Sequence, residues 1–404
     1  MMKYLVVIPD GMADEKIEAL GNRTPMEAAN KPFMDELART ADVGTVSNVP
    51  MDMVPESDTA NLAILSYDPK IYSKGRSPLE AVSMGLEMAP EDTAYRTNVV
   101  TLSEDGDYAD KIMLDHSADE ITTAEAHELI LALDKAFGSD IRRFHTGVSY
   151  RHCMLIRGGN DHYNFMRPHD IIGRRIGDYL PRPEDGGAEF LEMMRESFAV
   201  LNHHPVNEAR RARGLKPANS AWFWSPGRKP QLPNFAEKWG LRGTVISAVD
   251  LIKGIGLCAG MESIDVEGAT GNIHTNYAGK AAAAIDAFAR GQEYVYIHVE
   301  APDECGHRAE IENKVRSIEL IDREIVGPVV AALRKSGEPF RVMILPDHPT
   351  PIRIRTHAID PVPYLIYDSE IPHTGVDTFT EATAAACGHY NPNGCTLMDS
   401  LVRA

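Results

Sequence analysis

The chain begins with an uninterrupted apolar run, residues 4–9, that stops at Asp10-Gly11. No polar position alternates within it, so it predicts a strand buried on both faces, as in a parallel sheet. Three later segments repeat the design. Residues 293–299 (EYVYIHV) run into Glu300-Ala301-Pro302-Asp303, and residues 340–345 (FRVMIL) run into Pro346-Asp347-His348. Residues 362–366 (VPYLI) follow closely on His357. Ligands in open α/β sheets gather at the carboxyl ends of the strands. Four apolar strands with an acid or a histidine beside them therefore predict one sheet with one polar rim. Helical patterns lie between the strands. Residues 276–290 are Ala-rich, and residues 310–335 carry Val315, Ile318, Leu320, Ile321, Ile325 and Val329 at three- and four-residue spacings. Strand–helix–strand alternation predicts an α/β fold with a mostly parallel sheet flanked by helices.

The middle of the chain breaks this pattern. Residues 96–233 hold short strand candidates (99–102, 153–156), a Pro/Gly loop (181–187), a basic stretch (208–216) and the aromatic Trp222-Phe223-Trp224. This predicts a smaller α+β domain, 96–233, inserted into a discontinuous core domain made of 1–95 and 234–404. The basic stretch reads either as a phosphate-attracting patch or as one solvated helix face.

Composition narrows the classes. At 43% hydrophobic and 25% charged, the chain is neither disordered nor fibrous. A formal charge of −18 argues against coating nucleic acid or binding an anionic membrane. It leaves room for a small anionic substrate in a locally cationic cleft. No apolar stretch approaches the ~18 residues of a membrane span. Five scattered cysteines without a CxxC pair predict reduced thiols and a cytoplasmic setting.

Candidate chemistry lies at the strand ends. Asp303 and His307 are four apart and can share a helix face, where carboxylate and imidazole suit zinc or manganese; Asp303 also fits an ordinary helix cap. Asp347-His348 ends a strand, and His357 follows nine residues on. Asp10-Gly11 is a common turn as well as a carboxylate at a sheet rim. Ser57 in PESDTANLA sits at a predicted helix start, where it is either a cap or a nucleophile at the positive helix end. A serine hydroxyl attacks at neutral pH only with help from a base or a metal. Taken together, these residues fit a two-metal hydrolytic or phosphotransfer site.

The segments IPDGMAD, SDTANLAILSYDP, GRSPLEA, YRTNVVTL, VEGATGN, HVEAPDECGH, LPDHPTP and RTHAIDPVP resemble the archaeal-type, cofactor-independent phosphoglycerate mutase family, a branch of the alkaline phosphatase superfamily. The resemblance runs nearly end to end. It implies an alkaline phosphatase-like core and a phosphoserine relay with Ser57 as nucleophile. It also implies two divalent ions, manganese or zinc with magnesium as a further option, and no 2,3-bisphosphoglycerate. Asp347 and His348, with Asp10 beside them, match the ligands of the ion that contacts Ser57. Asp303, His307 and His357 match those of the other. Arg76, Arg96, Arg151 and Lys280 lie in family-like segments and are candidate substrate contacts, and the inserted domain is expected to serve as a lid. Ser66 departs from the family, which commonly has Gly before Tyr-Asp-Pro.

The expected partner is a small phosphorylated hydroxy acid, with a homo-oligomer left open. A second reading stays open as well. GRSPLEA, SMGLEM and PVNEARRARGLKPANS resemble a bacterial subgroup proposed to be homoserine kinase-like. No GxxxxGKS/T phosphate loop accompanies them.

Overall fold

The computed structural model describes residues 1–163 and 165–403. In chain order its strands are β1 (Lys3–Pro9), β2 (Asp42–Val46), β3 (Thr93–Leu102), β4 (Met113–Asp115), β5 (Arg142–Val148), β6 (Arg151–Ile156), β7 (Ser220–Arg228), β8 (Gly243–Ile246), β9 (Glu262–Ile264), β10 (Tyr294–Val299), β11 (Phe340–Ile344), β12 (Val362–Asp368) and β13 (Tyr390–Asn391). The chain forms two compact units, Met1–Ser73 with Gln231–Ala404, and Lys74–Pro230.

The first unit is built on one sheet in the order β13-β2-β12-β11-β1-β10-β8-β9. β1 pairs in parallel with β10 and β11, β10 with β8, and β8 with β9. β12 alone runs against its neighbours β11 and β2. The continuous apolar runs explain the centre. Leu5, Val6, Val7 and Ile8 are fully buried, as are Val295 to Ile297 and Val342 to Ile344, and each such side chain contributes about 1.5–3 kcal/mol. The Ala-rich pattern becomes helix Tyr277–Ala289, which lays Ala281, Ala284 and Ala287 into the core. The 310–335 pattern is one helical rod with a π turn, Ile311–Ile321, Asp322–Val326 and Gly327–Ser336. Pro328 offers no N–H to the carbonyl four residues before it, a cause of such widened turns. The Asp322 carboxylate within the π turn accepts the main-chain N–H groups of Phe33 and Met34.

The parallel strands β1, β10 and β11 all end on the same rim, and Asp10, Asp303 and Asp347 follow those ends. Because β12 is reversed, its start at Val362 lies there, and the loop carrying His357 enters the sheet from that side.

The second unit holds an antiparallel sheet, β4-β3-β6-β5 with β7 also paired to β3. Helices Thr123–Phe137 and Ala188–Leu201 bury Leu129, Leu133, Phe190 and Met194 with Trp222 and Phe223 of β7. The anticipated first junction, 95/96, falls inside β3, whereas the unit boundary lies upstream at 73/74. The helix Ser77–Ser83 packs on β3 and β7 and goes with them. The basic stretch is mostly the solvated face anticipated as one of its two forms, with Glu208, Arg213 and Lys216 exposed, but one of its side chains turns inward. Arg210 in helix Pro205–Ala212 is buried. Its guanidinium donates to Glu125 at 2.7 Å, to the Ala118 carbonyl at 2.6 Å and to the Lys216 carbonyl at 2.9 Å. No helix among the described residues is long and apolar enough to cross a membrane, and no disulfide joins the five cysteines.

Candidate active site

Ser57 opens helix Ser57–Ile64, and its Oγ lies 3.2 Å from His348 Nε2. The same nitrogen is 3.7 Å from Asp10 Oδ1 and 3.5 Å from Asp347 Oδ2. At the neighbouring corner His307 Nε2 is 3.2 Å from Asp303 Oδ2, His357 Nε2 is 3.5 Å from Asp303 Oδ1, and the two imidazole nitrogens are 3.1 Å apart. The rings of His348 and His357 stack at 3.9 Å. Residues separated by up to 347 positions in sequence thus meet at one place on the sheet rim. Gly11 permits this approach. Its φ is +61°, and a Cβ there would fall 2.5 Å from Thr350 Oγ1 and 2.8 Å from the Asp303 backbone.

Hydrogen bonds to the outer ring nitrogens fix the tautomers. His357 Nδ1 donates to the Pro55 carbonyl at 2.6 Å, and His307 Nδ1 donates to the Arg355 carbonyl at 3.0 Å. Thr350 Oγ1 gives its proton to Asp303 Oδ1 at 2.5 Å and so accepts from His348 Nδ1 at 3.3 Å. Each of the three neutral rings therefore turns an Nε2 lone pair toward the carboxylates. Lone pairs facing lone pairs at about 3 Å repel unless a proton or a cation stands between them. Hydrogen bonding to Asp303 pushes His307 up to about 9, so a proton fills that role when no cation does. Burial would raise Asp303, but His307 and His357 hold it well below the carboxylate range. Burial, reinforced by Asp347 and Asp303, holds Asp10 well above it. Asp10 Oδ1 is buried with no hydrogen-bond partner.

These features fit a divalent cation. Asp10, Asp347 and His348 form one group that could hold a metal ion, and Asp303, His348 and His357 form another. The oxygen and imidazole donors suit manganese or zinc better than an ion that demands all-oxygen ligands.

Several supporting residues escaped the sequence reading. Asp347 Oδ1 accepts from the main-chain N–H groups of Gly11 and His348, and Oδ2 accepts from Asn61 Nδ2 at 2.9 Å. Asn48 Nδ2 donates to the Asp347 carbonyl. His298 Nε2 lies 3.0 Å from Asp10 Oδ2, close but out of line for a hydrogen bond. The signal for His298 and Tyr296 was their place as polar groups in an otherwise apolar strand.

The four candidate substrate cations fall in two settings. In the second unit Arg96 pairs with Glu80 at 3.0 Å and lies 4.5 Å over the Trp224 ring. Burial lowers its pKa, and the nearby charges of Arg76 and Arg151 lower it further. Arg76, Arg96 and Arg151 thus form a cationic cluster. His116, packed edge-on against Tyr150 and His169, is a further basic group of this unit. In the first unit Lys280 is buried, donates to the His298 carbonyl at 2.7 Å and is pushed down to about 8 by burial.

A sequence model described as 2,3-bisphosphoglycerate-independent phosphoglycerate mutase matches residues 38–207. A probable 2,3-bisphosphoglycerate-independent phosphoglycerate mutase of Geobacter sulfurreducens is 45% identical over 402 residues, covering 99% of this chain and 100% of its own. The chain belongs to the 2,3-bisphosphoglycerate-independent phosphoglycerate mutase family. The family member of Methanothrix thermoacetophila is 46% identical over 99% of this chain and 100% of its own. Among solved structures, the cofactor-independent phosphoglycerate mutase of Thermoplasma acidophilum is similar with a TM-score of 0.68 at 25% identity, covering 100% of this chain and 99% of that one. A Pyrococcus horikoshii protein reaches 0.83 at 27% identity, covering 100% of this chain and 97% of its own. The α/β fold expected from the sequence is the fold of this mutase family. None of these relatives supports the homoserine kinase-like alternative.

Proposed function

We propose that this chain interconverts 3-phosphoglycerate and 2-phosphoglycerate without 2,3-bisphosphoglycerate, by way of phospho-Ser57. One observation carries the reading. The Ser57 hydroxyl, at the start of helix Ser57–Ile64, stands 3.2 Å from an imidazole that also faces two carboxylates. This supports a nucleophile over a cap, since Glu56 takes the N-cap position. Asp10, Ser57, Asp347 and His348 would hold one divalent ion, and Asp303, His307 and His357 the other, with manganese or zinc favoured over magnesium. Bound there, such ions supply Lewis-acid charge that lowers the serine pKa and stabilises transferring phosphoryl oxygens.

The protein's own part is positional. Ser57 Oγ bonds to phosphorus as the bond from phosphorus to the substrate's 3-oxygen breaks, and the serine proton ends on that oxygen. The glycerate then turns, its 2-oxygen takes the phosphoryl group, and the 2-hydroxyl proton returns to Ser57. The helix N-terminus favours the anionic group during both transfers. Arg76, Arg96 and Arg151 are the proposed holders of carboxylate and phosphate, for which guanidinium forks are suited. Lys280, the fourth proposed contact, is buried and donates to the His298 carbonyl, with the charge of Glu300 acting on it.

The test is direct. Manganese-loaded protein receives 3-phosphoglycerate alone in one vessel, and ATP with homoserine in another. Formation of 2-phosphoglycerate is expected in the first. O-phosphohomoserine in the second, with no mutase product in the first, overturns the reading.

A further inference from the structure

Asn61 lies one helical turn beyond Ser57 and is completely buried. Its amide is fully used. Nδ2 donates to the Ser57 carbonyl at 2.8 Å and to Asp347 Oδ2 at 2.9 Å, and Oδ1 accepts from the Tyr296 hydroxyl. The first two partners only accept, so the amide has one permitted orientation. The Tyr296 hydroxyl must then donate. Tyr296 itself is fully buried in β10, beside the strand that leads to Asp10.

We infer that Tyr296 and Asn61 form a positioning pair that fixes the Ser57 turn against the Asp347 carboxylate. Neither touches the reacting atoms. The pair joins three elements that carry site residues: the helix of Ser57, the loop of Asp347 and the strand preceding Asp303. A flipped amide would set Oδ1 against a carboxylate oxygen, and loss of the tyrosine hydroxyl removes the third anchor that opposes it. With Asp347 Oδ1 held by the main-chain N–H groups of Gly11 and His348, the Asn61 bond completes the hold on this carboxylate. Partners of this kind typically affect metal affinity or activity by about 10–100-fold.

This inference deepens the proposed function and rests on its assignment of Ser57 and Asp347. The experiment compares wild type, Tyr296→Phe, and the double variant Tyr296→Phe/Asn61→Leu, each stripped of metal and titrated calorimetrically with manganese, then assayed on 3-phosphoglycerate. Tyr296→Phe is expected to lower kcat at least about tenfold with KM within about twofold, and to weaken manganese binding at one site by about tenfold. The double variant removes both members of the polar pair. It also strips the Ser57 carbonyl and Asp347 Oδ2 of their donor, so it is expected to lower the thermal midpoint, kcat and manganese affinity further than Tyr296→Phe does. A double variant that loses thermal midpoint but keeps wild-type kcat and manganese affinity would assign the pair a merely structural role and overturn the inference. So would wild-type kcat and manganese binding in Tyr296→Phe. A wild-type protein inactive on 3-phosphoglycerate would sink the proposed function, and the manganese titrations alone would then decide the inference.

Discussion

The two units handle buried polar groups in opposite ways. In the second, charges are matched within the protein. Arg210 meets Glu125 and two carbonyls, and Lys111 donates to the carbonyls of Ser103 and Glu104 while packing over the Phe198 ring. At the sheet rim of the first, carboxylates and imidazole lone pairs face one another at 3.1–3.7 Å. Arg210 and Lys111 are satisfied by the fold itself, whereas the rim asks for added positive charge. An arrangement that strains the resting protein is what a site for transferring a phosphate-bearing group requires, since the same positive charge that relieves the ligands also stabilises the reaction.

The contrast can be broken most severely at the nucleophile. Ser57→Ala should lower phosphoryl transfer by about a thousandfold or more, while the circular dichroism spectrum stays close to wild type and manganese still binds, more weakly at one site, through the remaining ligands. A variant with near-normal mutase rates would refute phospho-Ser57. Next comes the dependence on cations. At a metal concentration a thousand times its dissociation constant, binding adds about 4 kcal/mol. Chelation should therefore lower the unfolding transition of the first unit by several degrees and leave that of the second in place, as seen by two-transition calorimetry. Equal shifts of both transitions would erase the distinction.

Arg210→Leu probes the opposite side. It leaves Glu125 without its buried partner and should destabilise the second unit by about 3 kcal/mol, with no change in manganese affinity. A smaller effect concerns acid. Burial pushes His152 down to about 3, so the folded second unit keeps this ring neutral. Its stability is intact above the ordinary histidine pKa of about 6.5 and is lost progressively as pH falls toward 3. Between about pH 7 and about pH 5 the loss is about 2 kcal/mol. His152→Asn keeps an acceptor for the Gly147 N–H and should flatten that pH dependence in urea titrations.

The smallest change is at Ser66, whose φ of +65° lies in the left-handed region. Ser66→Gly relieves that strain. It should raise the stability of the first unit by about 1 kcal/mol or less, read as a higher unfolding midpoint, with the bond from Lys238 to the residue 66 carbonyl retained. A destabilised variant would show that the Lys238 contact to Ser66 Oγ at 3.3 Å outweighs the strain.

Much of the first unit was legible because its strands are buried on both faces, so apolar runs ended where the rim began. Asp10, Asp303, Asp347 and His348 stand within a few residues of those ends, which is why strand and chemistry could be read together. The interlocking partners were not legible. Asn61, Tyr296 and Thr350 acquire their roles only from contacts across the fold, and an asparagine in a helix carries no local mark of what its amide meets. The 73/74 boundary was hidden for a similar reason. Helix Ser77–Ser83 looks like its neighbours in sequence, and only packing on β3 and β7 assigns it. Arg210 shows the same limit: most of the basic cluster faces solvent, as one of its two readings held, but no local mark set this one member apart for burial with Glu125.

β1 occupies the middle of the sheet, flanked by β10 and β11. Its neighbours are made some three hundred residues later. A growing chain therefore has neither neighbour for this sticky segment until β10 and β11 have followed. Such distant pairing is slow to form, which makes β1 a natural stretch for a chaperone to shield, and the rim at its end is complete only once both neighbours have joined it.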